Sequence, residues 1–180
     1  MRNKPKILDR KPLVDTGLFR VEQLELEFSN GVRRQHQRLI SSPQGAVLVV
    51  PLLDKETLLL IREYATGTER YELGFAKGRI EEGEDAIEAA RREIQEEVGY
   101  AARQLELIAS MTIAPGYLSH TTHIVLASDL YPQRLEGDEP EEIEVIPWKL
   151  SRLDQLLAQE DFSEARSIAA FYMVRDRLLS

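Results

Sequence analysis

The sequence predicts a layered domain mixing strands and helices, α+β or α/β in class, with an antiparallel hairpin layer at its N-terminus. Three observations carry this. Val- and Leu-rich runs of strand length recur along the chain. Helical periodicity is confined to three segments. Near the start, period-two apolar residues run into Asn30-Gly31, a strong turn pair.

Residues 18–39 read as that hairpin, with Val21, Leu24, Leu26 and Phe28 in near alternation. Residues 46–53, AVLVVPLL, are continuously apolar and too short for a confident helix, so they read as a buried strand. A DKE turn leads into a second strand, TLLLIREY. Residues 104–114, 121–130 and 143–148 supply further strands. The helices fall at 84–98, after Ser151 as an N-cap, and after Ser163 to the C-terminus. The acidic stretch 135–144, with Gly and Pro and no core face, reads as a loop.

With 180 residues, 43% of them hydrophobic, the chain can bury one sizeable core. The organisation expected is an N-terminal hairpin segment, 1–42, followed by the main domain, 43–180. No apolar run approaches the length of a transmembrane helix. The basic start lacks the apolar core of a signal peptide. The absence of cysteine removes disulfides, thiolate nucleophiles and zinc–sulfur sites, and a cytoplasmic protein is the simplest reading. Net charge is −8, and beyond residue 40 there are fourteen Lys/Arg against twenty-six Asp/Glu. Such an acidic body argues against nucleic-acid partners. An anionic substrate would need metal ions or a few placed arginines.

The stretch RREIQEEVGY, Arg91 to Tyr100, raises a question of charge. At about 100° per residue, Glu93, Glu96 and Glu97 fall on one helix face, with Ile87, Ile94 and Val98 on another. Like charges at i,i+4 destabilise a helix by roughly 0.2–0.5 kcal/mol per pair. The face could be a solvated acidic surface tempered by Arg91 and Arg92. Three carboxylates together also suit a hard divalent cation.

The wider context favours the cation. Gly78, Glu84, Arg92, Glu93, Ile94, Glu96, Glu97 and Gly99 stand at fixed spacing within the 23 residues from Gly78 to Tyr100. This pattern resembles the box of the Nudix hydrolase family, G-x(5)-E-x(7)-R-E-U-x-E-E-x-G-U. Tyr100 departs from it, standing where an aliphatic residue is usual. The resemblance implies a Nudix fold, a mixed β-sheet sandwiched between helices. It implies that Glu93, Glu96, Glu97 and the Lys77 carbonyl hold Mg²⁺, or Mn²⁺. It further implies that Gly78, Glu84, Arg92 and Gly99 are architectural, with a Glu84–Arg92 pair tying loop to helix. The family reaction is attack of water on a nucleoside diphosphate linked to another moiety.

The segments LIREYATGTERYELGFAKGRIEEGE and FSNGVRRQHQR resemble the bacterial ADP-compound hydrolases of that family, relatives of its ADP-ribose pyrophosphatases. This implies a homodimer built through the N-terminal β-layer. It also implies pyrophosphate cleavage in ADP-ribose, dinucleoside oligophosphates or NADH, releasing AMP. Pro115 stands 15 residues past the box, where a proline marks the ADP-ribose subgroup, although Pro-Gly is also an ordinary turn pair. ELGFAKG replaces the ELPAG frequent in ADP-ribose pyrophosphatases, which fits a broader range of ADP compounds.

Candidate substrate contacts are Arg38, Arg62, Glu72, Pro115 and Tyr117. Arg38 reads equally as charge guarding an edge strand, Glu72 as a surface acid, and Tyr117 as turn packing. Relatives carry a catalytic glutamate and a further metal ligand on a late loop, and Glu139 and Glu141 match it by position. His120 and His123, read as two positions of one strand facing opposite ways, carry no role. Two rival readings stay open: another Nudix subgroup acting on nucleoside triphosphates or RNA 5′ ends, and a non-catalytic nucleotide sensor.

Overall fold

A computed structural model describes residues 3–179. They form two compact units. The first takes the N-terminal residues to Gly45 together with Thr112–Thr121. Its sheet runs β1 (Lys6–Asp15), β2 (Arg20–Glu27), β3 (Arg33–Ile40) and the short β9 (Leu118–Ser119). The first three strands are antiparallel, and β9 lies parallel to β3. The expected hairpin is β2–β3. Its connection spans five residues rather than two, with Gly31 at φ 80° and the Asn30 side chain accepting from Val32 N–H at 3.1 Å. The sequence reading missed β1 because its apolar residues come as adjacent pairs, Ile7-Leu8 and Leu13-Val14, and do not alternate. In β2 the buried positions are Glu22 and Leu24, and Glu22 accepts from Arg38 on the facing strand at 2.6 Å.

The second unit holds Ala46–Met111 and Thr122–Ser180. Its mixed sheet has the order β11 (Glu144–Lys149), β5 (Thr57–Ala65), β4 (Ala46–Asp54), β10 (Thr122–Pro132), β8 (Tyr100–Met111). The strand β6 (Arg70–Gly74) adds to β5, and β7 (Lys77–Arg79) adds to β4. The continuous apolar character of β4 and β5 follows from burial on both faces. Val47, Val49, Leu59 and Ile61 face a layer containing Ala89, Ala90, Ile94 and Val98. Leu48, Val50, Leu58 and Leu60 face the opposite layer. That opposite layer is built by α2 (Leu153–Leu157) and α3 (Ala165–Leu179), with Leu153, Leu156, Ala170, Phe171 and Val174 inward. The sheet is thus sandwiched between helices, as the family resemblance implied.

Helix boundaries differ from the sequence reading in three places. The segment 84–98 splits into α1 (Ala86–Glu93) and a π-helical turn, Ile94–Val98. Ser151 does not cap α2; a 3₁₀ turn, Leu150–Arg152, precedes that helix and has no side-chain cap. Ser163 spends its hydroxyl on Glu72, and the Glu164 carboxylate accepts from the N–H groups of Arg166 and Ser167 at the start of α3. The acidic loop also has an inward residue after all, since Ile143 is buried.

Candidate active site

The site is assembled around α1. Asp85 caps its N-terminus, accepting from Ile87 and Glu88 N–H groups, while the Glu88 side chain returns to Asp85 N–H at 2.9 Å. This capping box fixes where the helix begins. Arg92 is the hub of the far end. Its guanidinium donates to both oxygens of Glu84 at 2.9 and 3.1 Å and to the Arg79 carbonyl at 3.0 Å. It also reaches Glu93 at 2.7 Å and Glu96 at 3.0 Å. One arginine therefore pins the preceding loop to the helix and balances part of the acidic face.

The π turn changes the angular arrangement of the glutamates. Its i→i+5 bonding makes a wider turn, so each residue advances by less than the roughly 100° of an α-helix. Such turns occur frequently at functional sites. The turn ends at Gly99, φ 78°, against which the Arg134 guanidinium lies 2.9 Å from where a Cβ would stand. Arg134 also donates to the Glu96 carbonyl at 3.3 Å. Tyr100 begins β8 and packs its ring on the apolar layer beneath α1.

Burial decides the electrostatics. Glu93 and Glu97 are buried and Glu96 is partly so. Loss of solvent, compounded by the neighbouring Glu93 charge, pushes the Glu97 carboxyl up to about 9. Burial raises Glu93 as well, against the pull of Arg92. Glu84 moves the other way, held low by the Arg92 guanidinium. Glu97 accepts from the Lys77 backbone N–H at 3.2 Å, and the Lys77 ammonium pairs with Glu63 at 3.4 Å.

These groups line a cavity of about 500 Å³. Its walls include Glu63, Lys77 and Gly78, and from the acidic loop Glu136, Gly137, Asp138 and Glu139. The loop carrying the last four is tied to the π turn: Gln133 N–H donates to Gly99 C=O and Leu135 N–H to Gln95 C=O, both at 3.1 Å. Glu139 folds back over Gly137, beside Glu96.

The structure thus brings Glu93, Glu96, Glu97, Lys77 and Glu139 to one cavity. Glu141 lies outside its lining and accepts from the Tyr71 hydroxyl at 2.6 Å. Arg62 pairs with Glu144 at 2.6 Å and Asp161 at 3.2 Å. Glu72 pairs with Arg70 at 2.9 Å. Neither lines the cavity. Arg38, Pro115 and Tyr117 belong to the first unit, where Arg38 pairs with Glu22, Pro115 lines a shallow pocket with Ser41 and His120, and Tyr117 is exposed. The two histidines do not share a strand: His120 lies between β9 and β10, with Nδ1 2.9 Å from Ser41 Oγ, and His123 sits in β10, 2.8 Å from Ser110 Oγ.

Sequence reasoning missed Glu63, Arg134 and Tyr71. Glu63 had a signal. It continues the period-two series Leu59, Ile61, the face of β5 turned toward α1. Arg134 and Tyr71 had none, because their partners are distant in the chain.

Among the described residues no three acidic or histidine side chains are already gathered as a metal cage. The donor chemistry nonetheless fits a hard divalent cation. It offers carboxylate oxygens, two of them on groups whose negative charge is costly where they sit. Arg92 engages one oxygen each of Glu93 and Glu96.

Comparisons agree with this geometry. The NUDIX domain model matches residues 42–171, and the NudE-type Nudix hydrolase N-terminal domain model matches residues 5–38. The chain is 49% identical over 175 residues to ADP compounds hydrolase NudE of Escherichia coli (strain K12), spanning 97% of this chain and 94% of that one. It is 27% identical over 172 residues to ADP-ribose pyrophosphatase of Bacillus subtilis (strain 168), spanning 92% of each. A solved crystal structure of an ADP compounds hydrolase superposes with a TM-score of 0.92 at 47% identity, covering 99% of this chain and 96% of that one. With the box glutamates gathered on one buried helix face and both family models matching in order, the chain belongs to the Nudix hydrolase family.

Proposed function

We propose that this enzyme hydrolyses the pyrophosphate bond of ADP-linked compounds, with Mg²⁺ held by Glu93, Glu96 and Glu97, and releases AMP and the phosphorylated partner. One observation carries the reading: the three box carboxylates and Glu139 line a single cavity. The substrate class comes from the similarity to an ADP compounds hydrolase and an ADP-ribose pyrophosphatase. Nudix hydrolases generally use divalent metal ions. Such an ion neutralises phosphate charge and acidifies bound water.

The chain's own groups do the rest. Glu93, Glu96 and Glu97 supply the oxygen ligands, and Arg92 keeps Glu93 and Glu96 oriented. Lys77 contributes a backbone donor to Glu97 and an ammonium at the cavity wall. Glu139 takes the proton of the attacking water. The water oxygen bonds to one phosphorus, the bridging P–O bond breaks, and the bridging oxygen leaves with the other phosphate. Glu139 is favoured over Glu141 for this role because only the former lines the cavity.

The N-terminal segment, 1–42, serves as the dimerisation layer in this reading. Ile7, Leu8, Leu13, Val14, Leu18 and Phe19 are exposed there, which favours a second copy of the chain as their cover.

A panel of ADP-ribose, diadenosine oligophosphates, NADH and nucleoside triphosphates, each with Mg²⁺ or with EDTA, tests the reaction. Metal-dependent AMP release from the ADP compounds is expected. Pyrophosphate release from triphosphates alone would reassign the enzyme, and tight binding without turnover would make it a sensor. Sedimentation at several concentrations tests the dimer.

A further inference from the structure

The Nudix reading leaves one buttress of the acidic loop without a role. Tyr71 of β6 stands directly opposite Tyr64 of β5, and their rings meet edge to face at 5.5 Å. The Tyr71 hydroxyl donates to Glu141 at 2.6 Å. The same strand β5 presents Glu63 to the cavity wall. The donor is therefore mounted on the paired strands that build one side of the site.

The loop needs such a mount. Residues 136–142 form neither helix nor strand. Before them, the ties from Gln133, Arg134 and Leu135 run to the π turn and Gly99. After them, Ile143 is buried and β11 begins at Glu144. A segment fixed at its ends still samples many backbone conformations. A tie at Glu141, two residues from Glu139, restricts the conformations that carry Glu139.

We propose that Tyr71 is a positioning residue for the hydrolysis: its phenol latches the acidic loop through Glu141 and so keeps Glu139 over the box carboxylates. The proposal rests on Glu139 taking the water proton. Substrate affinity does not pass through this latch, so its loss acts on kcat and not on KM. Tyr71→Phe keeps the ring packed on Tyr64 and removes only the donor. Glu141→Gln keeps an oxygen acceptor, while Glu141→Ala removes it.

The test combines amide hydrogen exchange of 136–142 with steady-state kinetics on ADP-ribose, using the full-length protein with Mg²⁺. Tyr71→Phe and Glu141→Ala are expected to speed exchange of this loop about tenfold, while Glu141→Gln retains the wild-type rate. The kcat of Tyr71→Phe should fall about tenfold with KM unchanged. Wild-type exchange in Tyr71→Phe overturns the latch, whatever the activity. A loosened loop with wild-type kcat overturns its part in the reaction. Glu139→Gln is scored separately. Full turnover in that variant removes Glu139 from the reaction, and the exchange data still decide whether Tyr71 holds the loop.

Discussion

The Glu93 carboxylate occupies the space that a side chain at Gly78 would need. Gly78 sits in β7, paired with Val47 of β4, so its backbone cannot retreat without breaking that pairing. The glycine of the box is there to let a buried acid approach the strand.

Gly78→Ala should therefore swing Glu93 away from the cavity and leave the fold standing. The clash falls on the flexible end of a side chain, so a stability loss of about 1 kcal/mol is expected. Turnover should fall by about two orders of magnitude, because a displacement near 1 Å at a positioned group costs that much. Chemical denaturation and kcat measured on the same preparation separate the two effects.

Glu97 predicts an unusual pH dependence. Its carboxyl titrates at about 9 in the folded protein, against roughly 4.3 in an unfolded chain. Between these values the folded state binds the extra proton, so this group makes stability fall as pH rises. In metal-free protein, Glu97→Gln should raise the thermal midpoint relative to wild type, by an amount that grows from pH 5 to pH 9. The same variant should lose turnover by about two to three orders of magnitude. Equal pH slopes for the two proteins would falsify the assignment.

Mg²⁺ should raise the thermal midpoint of the wild type, since a ligand that binds only the folded state stabilises it by mass action. The rise should be larger at pH 8 than at pH 6, because the Glu97 proton that a cation must displace is held less firmly as pH nears about 9. Glu93→Gln and Glu97→Gln should each blunt it. Differential scanning fluorimetry with EDTA as reference reads this without any substrate.

Glu139→Gln should lower kcat by about 10²–10⁴ with little change in KM, the span typical of a lost general base. The change is isosteric and the residue half-buried, so stability should stay within about 0.5 kcal/mol. Retained turnover would move the proton acceptor elsewhere on the loop.

Legibility followed locality. The face holding Glu93, Glu96 and Glu97 is visible in sequence because i,i+3 and i,i+4 neighbours meet on any helix. The Glu84–Arg92 pair is close in sequence and was implied by the box. The strands β4 and β5 announce themselves because burial on both faces demands continuous apolar runs. Strand β1 was invisible because its apolar residues are paired along the chain and do not alternate. The π turn was invisible because one widened turn leaves no trace in composition, yet it carries Glu96 and Glu97.

By itself, then, the sequence determined the family, the layered class of the fold and the three acids of the helix face. It could do so because each depends on neighbours along the chain or on the period of a single element. Only the tertiary structure decided that Glu63 and Glu139 join that face, that Glu141 instead meets Tyr71, and that Arg134 lies on Gly99. Those meetings join residues dozens of positions apart. They are fixed by how the sheet pairs and which surfaces it buries; local spacing gives the strand face of Glu63 but not which residues it meets.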